Sequence, residues 1–186
     1  MNINKNDIKT LVNLFLENKV LALPTESFYG LSSLLQIKAV QHIKKLKKRS
    51  AKKGFIVISS RLEHLLEVID TSLLNSDHIT ILKQQQERAT TWVVPVKKDF
   101  CWLTGQFNSI AVRLTTHPLL SEVTIALDQA IISTSANVSG MLPATSVKEV
   151  QNYFGDKLDY IYPQLNFIAN KQSRLINLLT GRLLRE

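Results

Sequence analysis

The chain has 186 residues, 45% of them apolar and 20% charged, enough for one domain spanning 1–186 that buries roughly 70% of the surface its unfolded form exposes. This balance, with 6 glycines and 5 prolines, excludes a collagen-like, coiled-coil or disordered chain, and no apolar run reaches the roughly 18–20 residues of a membrane span. The net charge of +8 is local: no acid lies between Glu26 and Glu63, a stretch that holds Lys38, Lys44, Lys45, Lys47, Lys48, Arg49, Lys52, Lys53 and Arg61. Such a field suits polyphosphate or nucleic-acid backbone, and a solvated helix face is the plainer alternative.

In chain order, Ile8, Leu11, Val12 and Phe15 recur at helical spacing, so a helix is expected over 7–18, followed by the strand 20–23, which Pro24 ends. Ile37, Val40, Ile43 and Leu46 predict a helix over 36–48, and Gly54 hinges into a buried strand over 55–58. Further helices are expected over 61–69 and 76–86, with strands over 90–96 and 109–114. Pro118 opens a helix over 117–129, and 130–134 is the next strand. Ser146 and Glu149 have capping-box spacing for a helix over 147–154 that ends at Gly155, and 159–162 and 175–179 are short strands. The alternation argues an α/β fold with helices covering a twisted, mixed sheet.

The N-terminus MNINKNDIK has neither the apolar core of a signal peptide nor the Arg-rich face of a transit peptide, so the expected compartment is the cytoplasm, away from membranes. One cysteine, Cys101, allows no internal disulfide and no cysteine-based zinc site. The six glycines are too scattered for a dinucleotide fingerprint or a Walker loop, and His42, His64, His78 and His117 lack metal-ligand spacing, so no protein metal site is expected. A Ser-His-Asp triad need not be contiguous, but Gly-x-Ser-x-Gly is absent and nothing marks one.

Three clusters carry polar chemistry at strand ends, where open α/β sheets bind ligands. Pro24-Thr25-Glu26-Ser27-Phe28-Tyr29-Gly30 combines hydroxyls, an acid and a ring, or is simply a Pro/Gly turn. Lys47, Arg49 and Lys53 sit where a helix gives way to a loop and could converge on a triphosphate, Arg as a planar fork and Lys as point charges. Ser133-Thr134-Ser135-Ala136-Asn137-Val138-Ser139-Gly140 follows an apolar strand, and burying its hydroxyls is costly unless they are used. Arg113, set in an apolar strand, must snorkel or pair with an anion.

These residues resemble the YrdC/Sua family, and most closely its short bacterial form. The matching motifs are Pro24-Thr25-Glu26 with Tyr29-Gly30, Lys47-x-Arg49, Ala111-Val112-Arg113, His117-Pro118, Trp102-Leu103-Thr104-Gly105, the Ser133 to Gly140 run and the ending Leu178 to Arg185. The resemblance implies a single-domain α/β fold, a twisted mixed sheet flanked by helices (YrdC-like, also termed DHBP synthase-like) with a large basic cavity. It implies a nucleotidyltransferase that joins L-threonine, bicarbonate and ATP into L-threonylcarbamoyladenylate with release of pyrophosphate, the first step of t6A formation at position 37 of tRNA. Mg²⁺ would arrive with ATP, tRNA is a further candidate partner, and the adenylate would pass to a threonylcarbamoyl transferase complex. Carried over, Lys47 and Arg49 would be catalytic. Lys47, Arg49, Lys53, Thr91, Ser135, Asn137 and Arg185 would face ATP, while Thr25, Arg113, Ser133 and Ser173 would hold threonine.

The chain departs from the family at three places. Gln86-Glu87-Arg88-Ala89 stands for the usual Trp-Pro-Gly-Pro, Ser32 for a second glycine after Tyr29-Gly30-Leu31, and Ser50 for the proline after Lys-x-Arg. The altered turn and the basic stretch motivate the alternative, a non-catalytic YrdC paralogue that binds tRNA or double-stranded RNA. A third reading is an adenylate-forming module with another carbamoyl source.

Overall fold

The computed structural model describes residues 3–163 and 171–186. Helix α1 (Lys5–Leu16) begins where the Asn4 side chain accepts from the Asn6 N–H, and buries Leu11 and Phe15. Strand β1 (Leu21–Pro24) turns back through 25–28 into β2 (Tyr29–Leu34). Helix α2 (Ile37–Leu46) leads to β3 (Ile56–Ser59), α3 (Leu62–Leu66), α4 (Ser76–Lys83), β4 (Thr90–Pro95) and β5 (Ser109–Leu114). Helix α5 (Pro118–Leu127), β6 (Ile131–Ser135), α6 (Val147–Phe154), β7 (Tyr160–Ile161), β8 (Arg174–Asn177) and β9 (Leu183–Arg185) complete the order.

Among the described residues nine strands form one mixed sheet, ordered β7-β1-β2-β6-β3-β5-β4-β8-β9. Alternating side chains sort its two faces. Leu21, Leu23, Ile58 and Ile131 join Leu11 and Phe15 of α1 and Leu119, Leu120 and Val123 of α5 in one core. Their neighbours Ala22, Val57 and Ile132, with Val112, face the other core beside Val40 and Ile43 of α2 and Val150 and Phe154 of α6. On the α1/α5 side the sheet continues past the helices, and there the alternation presents Thr91, Arg113, Ser133 and Ser135. The binding face is thus the uncovered half of a sheet whose other half is core.

Several elements differ from expectation. Strand β2 went unseen because Tyr-Gly-Leu-Ser-Ser-Leu has no alternation; all six residues are buried, since β2 lies between β1 and β6. The expected helix over 61–69 closes at Leu66, and that over 76–86 closes at Lys83, where Gln84 turns extended. Ser146 caps α6 as expected, but the Glu149 carboxylate reaches back one residue further, to the Thr145 N–H and hydroxyl at 2.6 and 2.8 Å. Strand β9 is three exposed residues at an edge, too short to show a pattern.

The entry into β3 is pinned by a close approach. A Cβ at Gly54 would lie 2.8 Å from the Thr104 carbonyl oxygen, and the neighbouring Lys53 bridges Gly105, itself at φ +69°. Gly54→Ala is therefore expected to lower unfolding stability by about 1–3 kcal/mol in urea titrations, through overpacking against backbone. An unchanged midpoint would mean that the Thr104 segment yields freely.

Candidate functional site

The site is organised by Arg113, which β5 carries on the uncovered face with only 8% of its surface exposed. Its Nε donates to Thr91 Oγ1 at 3.0 Å, Nη1 to Glu26 Oε2 at 3.2 Å and Nη2 to Ser173 Oγ at 2.8 Å. Antiparallel pairing of β4 with β5 sets Thr91 opposite Arg113, and the parallel pairing of β4 with β8 brings the residue before β8, Ser173, alongside. Arg185 on β9 closes the group from the edge, giving Nε and Nη2 to the Ser173 carbonyl at 3.3 and 2.9 Å and Nη2 to its hydroxyl at 3.2 Å. Because Ser173 Oγ accepts from both arginines, its own proton is directed to Thr91 Oγ1, 2.9 Å away.

Glu26 is the counter-ion, held in the turn between β1 and β2. Its Oε1 accepts from the Thr115 hydroxyl and, at 3.3 Å, from the Thr116 N–H. Burial pushes this carboxyl up, but the Arg113 guanidinium and the Thr115 hydroxyl outweigh it and hold the group below the usual glutamate value. The turn is braced by Thr25, whose hydroxyl donates to the Phe28 carbonyl at 2.8 Å and accepts from the Ser27 N–H at 3.2 Å.

The basic stretch divides at the end of α2. Lys38, Lys45, Lys48, Lys52, Lys53 and Arg61 are exposed. Lys48 adopts φ +48°, and the chain turns so that Lys47 and Arg49 point inward on separate errands. Arg49 lies over the Phe55 ring at 5.0 Å and gives Nη2 to the Gly54 carbonyl at 2.5 Å, while its buried Nε has no partner among the described residues. Lys47, 1% exposed, lies under the Ser135–Asn137 loop, donating to the Ser135 carbonyl, the Asn137 carbonyl at 2.8 Å and Asn137 Oδ1 at 3.0 Å. Burial, then Arg49 and Lys53, lower its pKa from 10.5 to about 7. Asn137 Oδ1 also accepts from Ser135 Oγ at 2.7 Å, so the lysine fixes the hydroxyl through the amide.

Thr25, Arg49, Arg113, Ser133, Ser135, Ser173 and Arg185, all expected from sequence, line one recess of about 170 Å³. Lys47, Lys53, Thr91 and Asn137 do not. Thr91 supports Arg113 from behind, Lys47 and Asn137 form the loop's underside, and Lys53 is exposed. Lys47 thus has all three ammonium protons engaged by the loop, where sequence had put it on the phosphates. Gly30 lets the walls meet: a Cβ there would lie 2.5 Å from Ser133 Oγ. A larger recess of about 700 Å³ shares Ser27 and Arg113 with the first and is rimmed by Gln84 to Ala89, with Leu82 and Trp92 inside. The single large basic cavity expected is therefore two adjoining hollows that share Arg113: Arg49 and Arg185 also line the smaller, and Lys83, Arg88 and Lys171 the larger. Sequence reasoning named Glu26 only as the acid of the first cluster and gave it no role, because its partner lies 87 positions away.

Two other groupings bear on chemistry. Ser59 Oγ, His64 Nδ1, His64 Nε2 and Asp128 form a chain with distances of 2.9 and 3.2 Å, but Ser59 is fully buried and lines neither hollow. Among the described residues no three His, Cys, Asp or Glu side chains gather where they could hold a metal ion.

Comparison with known proteins places this geometry. The Sua5/YciO/YrdC family model, described as "Telomere recombination", matches residues 13–186. The chain is 42% identical over 175 residues to a threonylcarbamoyl-AMP synthase of Actinobacillus succinogenes, covering 91% of this chain and 93% of that protein. It is 35% identical over 182 residues to one from Histophilus somni, covering 97% and 99%. The crystal structure of P. abyssi Sua5 complexed with L-threonine superposes with a TM-score of 0.90 at 26% identity, over all of this chain; the chain spans 55% of that protein's length. E. coli YciO shares the fold at a TM-score of 0.85 and 19% identity, over 100% of this chain and 91% of that one. With the family model spanning nearly its whole length and relatives this similar, the chain belongs to the Sua5/YciO/YrdC family.

Proposed function

We propose that this chain is a nucleotidyltransferase that forms L-threonylcarbamoyladenylate and pyrophosphate from L-threonine, bicarbonate and ATP. Its relatives carry the name of that synthase at 35–42% identity. The observation that carries the reading is that Arg49, Arg113, Arg185 and Ser135, drawn from four separate segments, line the same recess. Three guanidinium groups in one hollow, with a single carboxylate bound to one of them, call for anions.

The division of labour follows from the contacts. Arg113 spends three of its five N–H donors on Thr91, Glu26 and Ser173 and keeps two, a pair suited to a carboxylate, and in this reading it takes the amino acid. Arg49 and Arg185, with the Ser135 hydroxyl, then face the phosphates. The threonine amine and bicarbonate combine to a carbamate with loss of water; a carbamate oxygen attacks the α-phosphorus, and the bond to pyrophosphate breaks. The protein holds two anions together and offsets charge as it shifts toward the leaving group, so positioning and electrostatics suffice. A divalent cation, Mg²⁺, would come with ATP, because the smaller recess is lined by no carboxylate among the described residues and Glu26 is committed to Arg113. In this reading the adenylate leaves a cytoplasmic enzyme for a separate threonylcarbamoyl transferase that modifies tRNA position 37. The exposed lysines after α2 offer a surface for the tRNA backbone itself.

The deciding experiment supplies labelled bicarbonate with ATP and L-threonine. A labelled adenylate and pyrophosphate should appear together, and Arg49→Ala should lower kcat/KM for ATP by about 10²–10³. Salt-dependent tRNA binding with no ATP consumption would instead favour the RNA-binding alternative.

Lys47 adds a pH signature. Below about pH 7 it is charged in folded and unfolded chains alike. Between about 7 and 10.5 the folded protein holds fewer protons, so stability from this site rises with pH even as the loop loses a donor. We expect kcat/KM for ATP to fall as pH climbs through about 7 in the parent, and that limb to be missing from Lys47→Arg, whose charge persists. Superimposable profiles would remove Lys47 from the account.

A further inference from the structure

Ser27 is a residue of the β1–β2 turn whose side chain the fold leaves unused. Only 5% of it is exposed, yet its Oγ is buried without a partner among the described residues. A buried hydroxyl with no partner destabilises a protein, and removing it should relieve that cost. The turn does not require it, since what braces Ser27 is its backbone N–H donating to Thr25 Oγ1. Ser32 is also buried and unpartnered, but it lies in β2 and lines neither hollow. Ser27 lines both, as does Arg113. Ser27 thus belongs to the partition that Arg113 also lines, and that guanidinium is oriented by three separate residues with two N–H donors to spare. A neutral donor near a cation with free N–H groups is suited to an anionic acceptor, and the smaller hollow is lined by three arginines, Glu26 reaching Arg113 from the larger one.

We propose that Ser27 is a substrate-binding residue whose hydroxyl donates to the carboxylate of the amino-acid substrate beside Arg113, an assignment that rests on the threonine-carbamoylating reading of the site. The hydroxyl contributes nothing to the empty fold and completes the carboxylate's shell when the amino acid is bound, so its effects on stability and on binding have opposite signs.

The test is Ser27→Ala, read by thermal unfolding and by steady-state kinetics of pyrophosphate release with threonine and ATP varied separately. The variant should melt at the parent's temperature or above it. Its KM for threonine should rise about tenfold or more, the usual scale of a hydrogen bond to a charged group, while the KM for ATP stays within about twofold. Calorimetric titration of L-threonine into each protein reads the same contact without turnover. An active parent whose threonine KM and affinity are unchanged by the substitution overturns the role of Ser27 and leaves the synthase reading standing. A lower melting temperature with both KM values raised makes the hydroxyl structural and also overturns it. A parent that neither binds threonine nor releases pyrophosphate in its presence overturns the underlying reading, and this proposal with it.

Discussion

A charge held out of water is the constraint around which this structure is arranged. Arg113 is almost fully enclosed, and an ion so placed is tolerated only when its hydrogen bonds are met and its charge is offset. Both conditions are satisfied from a distance in sequence: Glu26 comes from the first hairpin, Thr91 from β4 and Ser173 from the segment before β8. Removing a partner from a buried pair typically costs about 3–5 kcal/mol, because a lone charge is left behind. The guanidinium therefore ties the hairpin, the middle of the sheet and its far edge into one geometry, and two of its donors stay aimed at whatever enters. Pre-orientation of this kind lets the protein bind an anion without reorganising.

Lys47 illustrates the same physics turned to a different end. It and Arg49 stand two positions apart at the close of α2, a spacing that looks like a pair of phosphate ligands. The chain leaves the helix through Lys48 in a left-handed conformation and separates them. One cation reaches the recess; the other passes beneath the loop and meets three oxygen acceptors. The Ser135 hydroxyl is then placed by an amide that is itself placed by an ammonium group, so the loop's shape depends on a proton that burial makes easy to lose.

How much of this could be read in the chain depends on the range of the forces involved. The local patterns were legible: apolar periodicity marked α1, α2 and α5, capping spacing marked α6, a β-branched run marked β4, and short apolar runs marked β1, β3 and β6. Strand β2 escaped because its pattern is erased by burial on both faces, and α4 ended early at a residue that carries no stop signal. In the site, the residue types needed to hold anions stood out, and seven of those named do face one recess. What did not show was which polar groups serve one another. Glu26 and Arg113, or Thr91 and Ser173, lie more than eighty positions apart, and only strand order brings them together. The segment Gln86 to Ala89 reads in the same way: Arg88 ties it to Glu186 and to the Gln172 carbonyl, both more than eighty positions away.

These contacts share a direction that stability alone would not choose. The Arg49 Nε and the Ser27 hydroxyl are left unanswered among the described residues, and Arg185 is set close enough to Arg113 for their charges to repel. Each is unfavourable in the empty protein, and each is relieved by negative charge in the smaller recess. A fold that accumulates unmet donors and like charges at one place, while its two cores are closely packed elsewhere, stores free energy that an anionic ligand releases on entry. An anionic ligand of the kind proposed would therefore act as a missing part of the structure, completing its electrostatics on entry.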